Sequence, residues 1–317
     1  MAGRFVRAVI SSALLGCSHA ATPRAAPAPD AADGAIAAGV DAGGATTTAL
    51  TVDAGGASRL VLVHTPAGVG GAAPRGPTAL VLNLHGSGGT AAGEEAYSGM
   101  DAVAEAHGFI VAYPQGAIAL GGGFAWNVPG QPLIGGAAVP DGAADDVDFI
   151  ARAVAAVEQA YPIDPKRVFA TGMSGGARMT SQLGCDLSTV LAAVAPVAGL
   201  RIPSPCSGSR AVSVVAFHGT ADTTNPYDGN GEAYWTYSVP VAEQGWATHD
   251  ACNPTPSASQ AAPNVTLTSY TGCTAGAAVL LYTIDGAGHE WPGAPGQTTA
   301  IDANEAMWAF FSAHPLP

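Results

Sequence analysis

The sequence predicts an α/β fold, a mostly parallel sheet with helices on both faces, and three observations carry that expectation. Short β-rich apolar runs at residues 59–64, 78–84, 109–113, 190–197, 211–217 and 277–284 alternate with segments of helical spacing. Three of these runs end in glycine-bearing loops: His85-Gly86-Ser87-Gly88-Gly89, His218-Gly219-Thr220-Ala221-Asp222 and Asp285-Gly286-Ala287-Gly288-His289. Residues 166–179 read as a short strand, a Gly172-Met173-Ser174-Gly175-Gly176 turn and a helix. Strands that alternate with helices pair in parallel and need cover on both faces.

Taken in order, residues 1–17 have a basic start (Arg4, Arg7) and a short apolar segment, the order of an export signal. Its end, Leu14-Leu15-Gly16-Cys17, resembles a bacterial lipobox, in which Cys17 would be lipidated. Residues 18–57 are rich in Ala, Pro, Gly and Thr and read as a disordered tether. The folded domain is expected over 58–317. Within it, helices are expected at 94–107, 145–161, 177–183, 231–249 and 298–311, and residues 114–142 read as a glycine-rich binding loop without regular structure. Asp145, Asp146 and Asp148 fall in a first helical turn, where carboxylates suit the positive helix end better than they suggest a metal cluster.

Composition excludes several function classes. A formal charge of −13 with only 11% charged residues leaves no basic face for nucleic acid. No run of 18 apolar residues appears, so membrane contact would come only through a lipid on Cys17. Oligomeric state is not legible. Beyond Cys17 the cysteines are Cys185, Cys206, Cys252 and Cys273, an even number that in an exported chain suggests disulfides. Of the three pairings, Cys185 with Cys206 and Cys252 with Cys273 close the shorter loops, each stabilising by roughly 3 kcal/mol on loop-entropy grounds. No Cys-x-x-Cys pair is present to favour zinc.

A serine hydroxyl needs a base, and the base needs an orienting acid. On a strand-turn-helix elbow these partners follow the serine in the order acid, then histidine, which is the arrangement of an α/β-hydrolase. Of the late histidines, His249 sits in a helical stretch and His314 in a proline-flanked tail, which leaves His289 in its glycine loop. Asp222, just past the run 211–217, is the candidate acid, with Asp285 its competitor. The amides of Ser87 and Gly175 are the candidate oxyanion donors, and His85 is expected to brace its loop. The connection 197–211 is too short for a large lid.

Together, H-G-S-G-G, D-D-V-D-F at 145–149, I-D-P-K-R-V-F-A-T-G-M-S-G-G at 163–176, H-G-T-A-D and G-H-E-W-P-G resemble the polyhydroxybutyrate depolymerase and feruloyl esterase group of secreted α/β-hydrolases over residues 58–317. The resemblance implies Ser174 as nucleophile, Asp222 as acid, His289 as base, Ser87 and Gly175 as oxyanion donors, and the same two local disulfides. It also implies that Trp126 and Trp291 line the substrate cleft. Two positions depart from the group: Gly175 stands where Asn commonly follows the nucleophile, and Glu290 where Thr often follows the histidine.

The implied activity is hydrolysis of a small ester or oligoester, polysaccharide-linked ones included, through an acyl-enzyme. Feruloyl or acetyl esters and short 3-hydroxyalkanoate oligomers both fit, and the chemistry needs no metal or organic cofactor. The alternatives are a peptidase of the same fold and a non-catalytic surface-binding lipoprotein.

Overall fold

The computed structural model describes residues 44–67, 76–202, 204–206, 208 and 210–317. The signal segment, Cys17 and most of the tether lie outside the described residues. The tether does not extend to residue 57, however, because Thr46–Ala54 forms strand β1 and pairs antiparallel with β2, Ala57–Thr65. Its inward residues Leu50, Val52 and Ala54 alternate with exposed ones, which is the period of a half-buried strand.

Six strands form the parallel centre of the sheet: β3 (Thr78–Leu84), β4 (Ile110–Pro114), β7 (Ile163–Met173), β8 (Ala193–Val197), β9 (Ser213–Gly219) and β12 (Val279–Ile284). With β10 (Ser257–Ala262) and β11 (Val265–Tyr270), the order is β1-β2-β4-β3-β7-β8-β9-β12-β11-β10. Antiparallel hairpins thus finish both edges of a parallel core. A separate hairpin, β5 (Ile118–Leu120) with β6 (Gly123–Ala125), lies inside the segment expected to be irregular.

Alternation along the central strands feeds two cores. Leu80, Leu82 and Leu84 face α3 (Asp146–Ala160), α4 (Gly175–Asp186) and α5 (Val239–His249). Ala79 and Val81 face α1 (Ala91–Ser98), α2 (Met100–His107) and α6 (Ala303–Ala313). Burial on both faces explains why these strands are continuously apolar.

Three expected helices differ in extent. The one read at 94–107 is two, broken at Gly99, whose φ of 66° is the left-handed conformation that ends a helix. The one read at 231–249 starts only at Val239, because Ser238 caps it and Pro240 fits the first turn but not a helix interior. The last begins at Ala303, where Asp302 accepts the Glu305 amide at 3.1 Å. Both local disulfides, Cys185–Cys206 and Cys252–Cys273, are present. No helix among the described residues is long and apolar enough to cross a membrane.

The three aspartates at the start of α3 divide their tasks. Asp145 caps the helix through the Asp148 amide and Asp148 pairs with Arg152, but Asp146 is buried. Its carboxylate accepts Arg59 of β2 at 2.6 Å and the Asn127 amide at 2.7 Å. Arg59 also donates to the Gln115 carbonyl at 2.7 Å and lies over the Phe149 ring. Burial pushes the Asp146 carboxyl upward, against the lowering charge of Arg59. Removing one member of a buried pair strands the other. Arg59→Met should therefore destabilise the protein by about 3 kcal/mol, read as a lower urea midpoint, and Arg59→Lys should recover only part of that.

Candidate active site

The turn between β7 and α4 has the geometry its glycines allow. Ser174 adopts φ 54° and ψ −110°, outside the regions that L-residues favour. Its amide donates to the Val197 carbonyl at 2.9 Å, which ties the turn to β8. A Cβ built on Gly172 would lie 2.6 Å from the Leu84 carbonyl oxygen, and one on Gly176 would overlap the same oxygen. The backbones of β3 and α4 pack in direct contact, which leaves no room for a side chain at either glycine.

Leu84 leads into the candidate oxyanion loop. Gly88 donates to the Phe124 carbonyl at 2.8 Å, and Phe124 returns a bond to Gly89 at 2.9 Å, so the β5–β6 hairpin clamps the loop. His85 is buried, donates from Nδ1 to the Gly86 carbonyl at 2.8 Å and accepts the Gly116 amide on Nε2 at 2.9 Å. These partners require the neutral tautomer, and burial, the main influence, lowers the imidazole's pKa accordingly. A Cβ on Gly175 would lie 3.0 Å from the Ser87 nitrogen, so the two candidate oxyanion amides are neighbours. Gly175 is the first residue of α4, where an amide has no intrahelical acceptor.

Asp222 and His289 meet across 67 residues of sequence. His289 Nδ1–H donates to Asp222 Oδ2 at 2.7 Å, while Asp222 Oδ1 accepts the amides of Thr224 and Asn225, each at 2.8 Å. His218 adds a contact at 3.3 Å from Nε2. Burial would raise the Asp222 pKa, but the bonds from His218, His289 and the Asn225 amide outweigh it and hold the carboxyl well below the usual range. Asp285 instead accepts the Thr220 hydroxyl at 3.0 Å on the surface. His249 pairs with Asp250, His314 bonds its own helix end, and Glu290 accepts the Thr298 amide at 3.3 Å.

Ser174 and His289 line one cavity of about 410 Å³ together with His85, residues 86–89, Gly93, Glu94, Tyr97 and Met173. The serine–histidine hydrogen bond itself is not formed among the described contacts. The two tryptophans expected in the cleft are not there. Trp126 is buried behind the loop, where its Nε1 donates to the His85 carbonyl at 2.8 Å and its ring packs on the His85 ring. Trp291 is fully buried under α6, with Nε1 on Asn304 at 2.8 Å. Both indoles satisfy their N–H inside the protein, so neither wall of the cavity is aromatic in the way expected.

Glu94 and Tyr97, which no motif in the sequence marks as site residues, are brought to the cavity by α1 directly after the glycine loop. Glu94 is buried, and desolvation raises its pKa to about 8 against a lowering contribution from the Gly86 amide. Its only signal was position: the first turn of a helix that follows a candidate oxyanion loop. Two clusters of His, Cys, Asp or Glu occur among the described residues away from the cavity: in one, Cys185 and Cys206 beside His249 are joined in a disulfide, and in the other, His64, Glu95 and Asp101, His64 bonds Glu105 and Glu95 accepts the Thr47 hydroxyl.

A centrally parallel sheet with a strained serine at one strand end and an Asp–His pair at two later ones defines an α/β-hydrolase. Residues 63–231 match the family model described as esterase PHB depolymerase, and the chain belongs to that family of esterase-type hydrolases. It is 33% identical over 278 residues to NocK of Nocardia uniformis subsp. tsuyamanensis, a protein designated an esterase, covering 78% of this chain and 75% of that one. Feruloyl esterase B of Piromyces equi is 33% identical over 245 residues, covering 73% of this chain and 42% of the relative. Poly(3-hydroxyalkanoate) depolymerase C of Paucimonas lemoignei is 30% identical over 258 residues, covering 74% and 58%. The chain thus spans about half the length of these last two. Among solved structures, acetyl xylan esterase from Aspergillus awamori shares the fold, with a TM-score of 0.57 at 20% identity over 80% of this chain and 94% of that one.

A Cβ at Gly176 meets backbone, whereas at Gly175 its closest neighbour is the rotatable Ser87 hydroxyl. Gly176→Ala should therefore cost about 3 kcal/mol of stability or more, while Gly175→Ala should unfold close to the wild type in thermal melts. For Glu94, a carboxyl whose folded pKa exceeds its unfolded one opposes folding once the unfolded chain ionises. That cost is absent below the ordinary value of 4.5, grows as pH rises to about 8 and is constant beyond. Glu94→Gln should raise the urea midpoint relative to wild type at about pH 8 and leave it level at about pH 4.

Proposed function

We propose that the protein is an exported serine carboxylic-ester hydrolase that works through an acyl-enzyme. Ser174 attacks the ester carbonyl while His289 takes its proton, and Asp222 holds the imidazole in the tautomer that leaves Nε2 free for that task. The amides of Ser87 and Gly175 stabilise the oxyanion, His289 returns the proton to the departing alcohol, and water then repeats the sequence to release the acid. The observation that carries this reading is the Asp222–His289 hydrogen bond of 2.7 Å at a cavity shared with the strained Ser174.

The proposed substrates are feruloyl or acetyl esters and short 3-hydroxyalkanoate oligomers. Relatives named feruloyl esterase and poly(3-hydroxyalkanoate) depolymerase support the range, and a cavity of about 410 Å³ suits one small acyl group. Two disulfides and a basic-then-apolar N-terminus support export.

Ser174→Ala should lose labelling by a fluorophosphonate probe and lower kcat on p-nitrophenyl acetate by at least about 10⁴-fold. Asp222→Asn, which keeps the shape but disturbs the tautomer, should lower kcat by about 10⁴-fold. Turnover by Ser174→Ala at the wild-type rate would refute the assignment. A panel of methyl ferulate, acetylated xylan and 3-hydroxybutyrate oligomers ranks the substrate classes.

A further inference from the structure

Among the described residues, Glu94 is the one acidic side chain on the wall of the cavity, and no step of the proposed hydrolysis uses it. It is 4% exposed, and its buried Oε1 has no hydrogen-bond partner among the described residues. An orphaned polar atom in the interior is costly, and one at the edge of a binding cavity is accounted for when a ligand supplies the missing partner. The other polar walls are largely committed. Both ring nitrogens of His85 are occupied, the Tyr97 hydroxyl accepts the Trp291 amide at 3.1 Å, and His289 Nδ1 is held by Asp222.

Glu94 also has a definite place relative to the reacting atoms. The Gly86 amide faces its carboxyl, and Gly86 directly precedes Ser87, a proposed oxyanion donor. A substrate group that meets Glu94 therefore lies within a few bonds of the scissile carbonyl. A carboxyl kept neutral by its surroundings donates one hydrogen bond and accepts another. The matching partner is a group with the same dual capacity, an alcohol hydroxyl, rather than a cation or an alkyl chain.

We propose that Glu94 is a specificity-determining residue that selects esters bearing a free hydroxyl close to the scissile carbonyl, by hydrogen bonding to that hydroxyl. The inference rests on the esterase reading and narrows it. A hydroxyl on the acyl part, as in a 3-hydroxyalkanoate, and one on the alcohol part, as in a polyol ester, present the same chemistry to Glu94.

The test compares kcat/KM for ethyl 3-hydroxybutyrate against ethyl butyrate, and for 2-hydroxyethyl butyrate against ethyl butyrate. Each ratio is divided by the ratio of the two esters' hydroxide-catalysed rates, and active enzyme is counted by fluorophosphonate titration. In at least one arm the wild type should prefer the hydroxylated ester about tenfold, chiefly through KM, and that arm names the side of the ester recognised. Glu94→Leu should bring the ratio close to one, whereas Glu94→Gln, which keeps a donor and an acceptor, should hold it within about threefold of the wild type. A wild-type ratio close to one in both arms overturns the inference and leaves the esterase reading intact. An unchanged ratio in Glu94→Leu does the same. If Glu94→Leu does not fold, the wild-type ratios and the Glu94→Gln ratio decide. A wild type that hydrolyses no ester and takes up no fluorophosphonate overturns both readings.

Discussion

The contact between the Leu84 carbonyl and the two glycines around Ser174 is the constraint on which the site depends. Because Gly172 and Gly176 carry no side chain, β3 and the start of α4 approach at backbone distance. That approach sets the loop after β3 beside the serine and brings the Ser87 and Gly175 amides together. The same compression holds Ser174 at φ 54°, an arrangement costing of order 1–3 kcal/mol that persists only because the surroundings fix it. Val197 on one side and Leu84 on the other supply that restraint, so the three adjacent strands β3, β7 and β8 act as one mould.

Outside this mould, buried polar bonds transmit position from the edge of the sheet inward. Arg59 on β2 holds Asp146, Asp146 holds the Asn127 amide, and the neighbouring Trp126 holds the His85 carbonyl at the root of the glycine loop. Gln115 joins the same network, taking the Ala91 amide at the start of α1 and contacting His85 Nε2. The Trp126-Asn127 pair, set in a long irregular-looking segment, thus serves the site from behind and leaves the cavity wall to Glu94, Tyr97 and Met173.

Legibility in the sequence followed the strength of the local physical signal. The parallel strands are buried on both faces and read as apolar runs, and the order of Ser174, Asp222 and His289 was readable because each stands in a short loop at a strand end. Strand β10 has only Ser, Ala and Gln at almost wholly exposed positions and so offers no period, and β11 alternates apolar with polar residues only from Val265 to Thr268, too briefly to stand out. Strand β1 did alternate, but within a background of Thr, Ala and Gly that resembles a tether. The tryptophans misled because an aromatic residue in a glycine loop fits a cleft as well as a brace, and only tertiary packing separates the two. Glu94 was hidden for the opposite reason: a glutamate in a first helical turn is ordinary, and burial alone makes it unusual.

The pieces of the site come from the ends of strands β3, β7, β9 and β12, which are dispersed from residue 85 to residue 289. No contiguous stretch of chain carries a working subset, and the Asp222–His289 bond closes only after β12 has docked beside β9. Non-local strand pairing is slow to form because loop-closure entropy must be overcome first. Competence to label at Ser174 would then be among the last properties acquired during folding, which makes such labelling a sensitive report on completed assembly of the whole sheet.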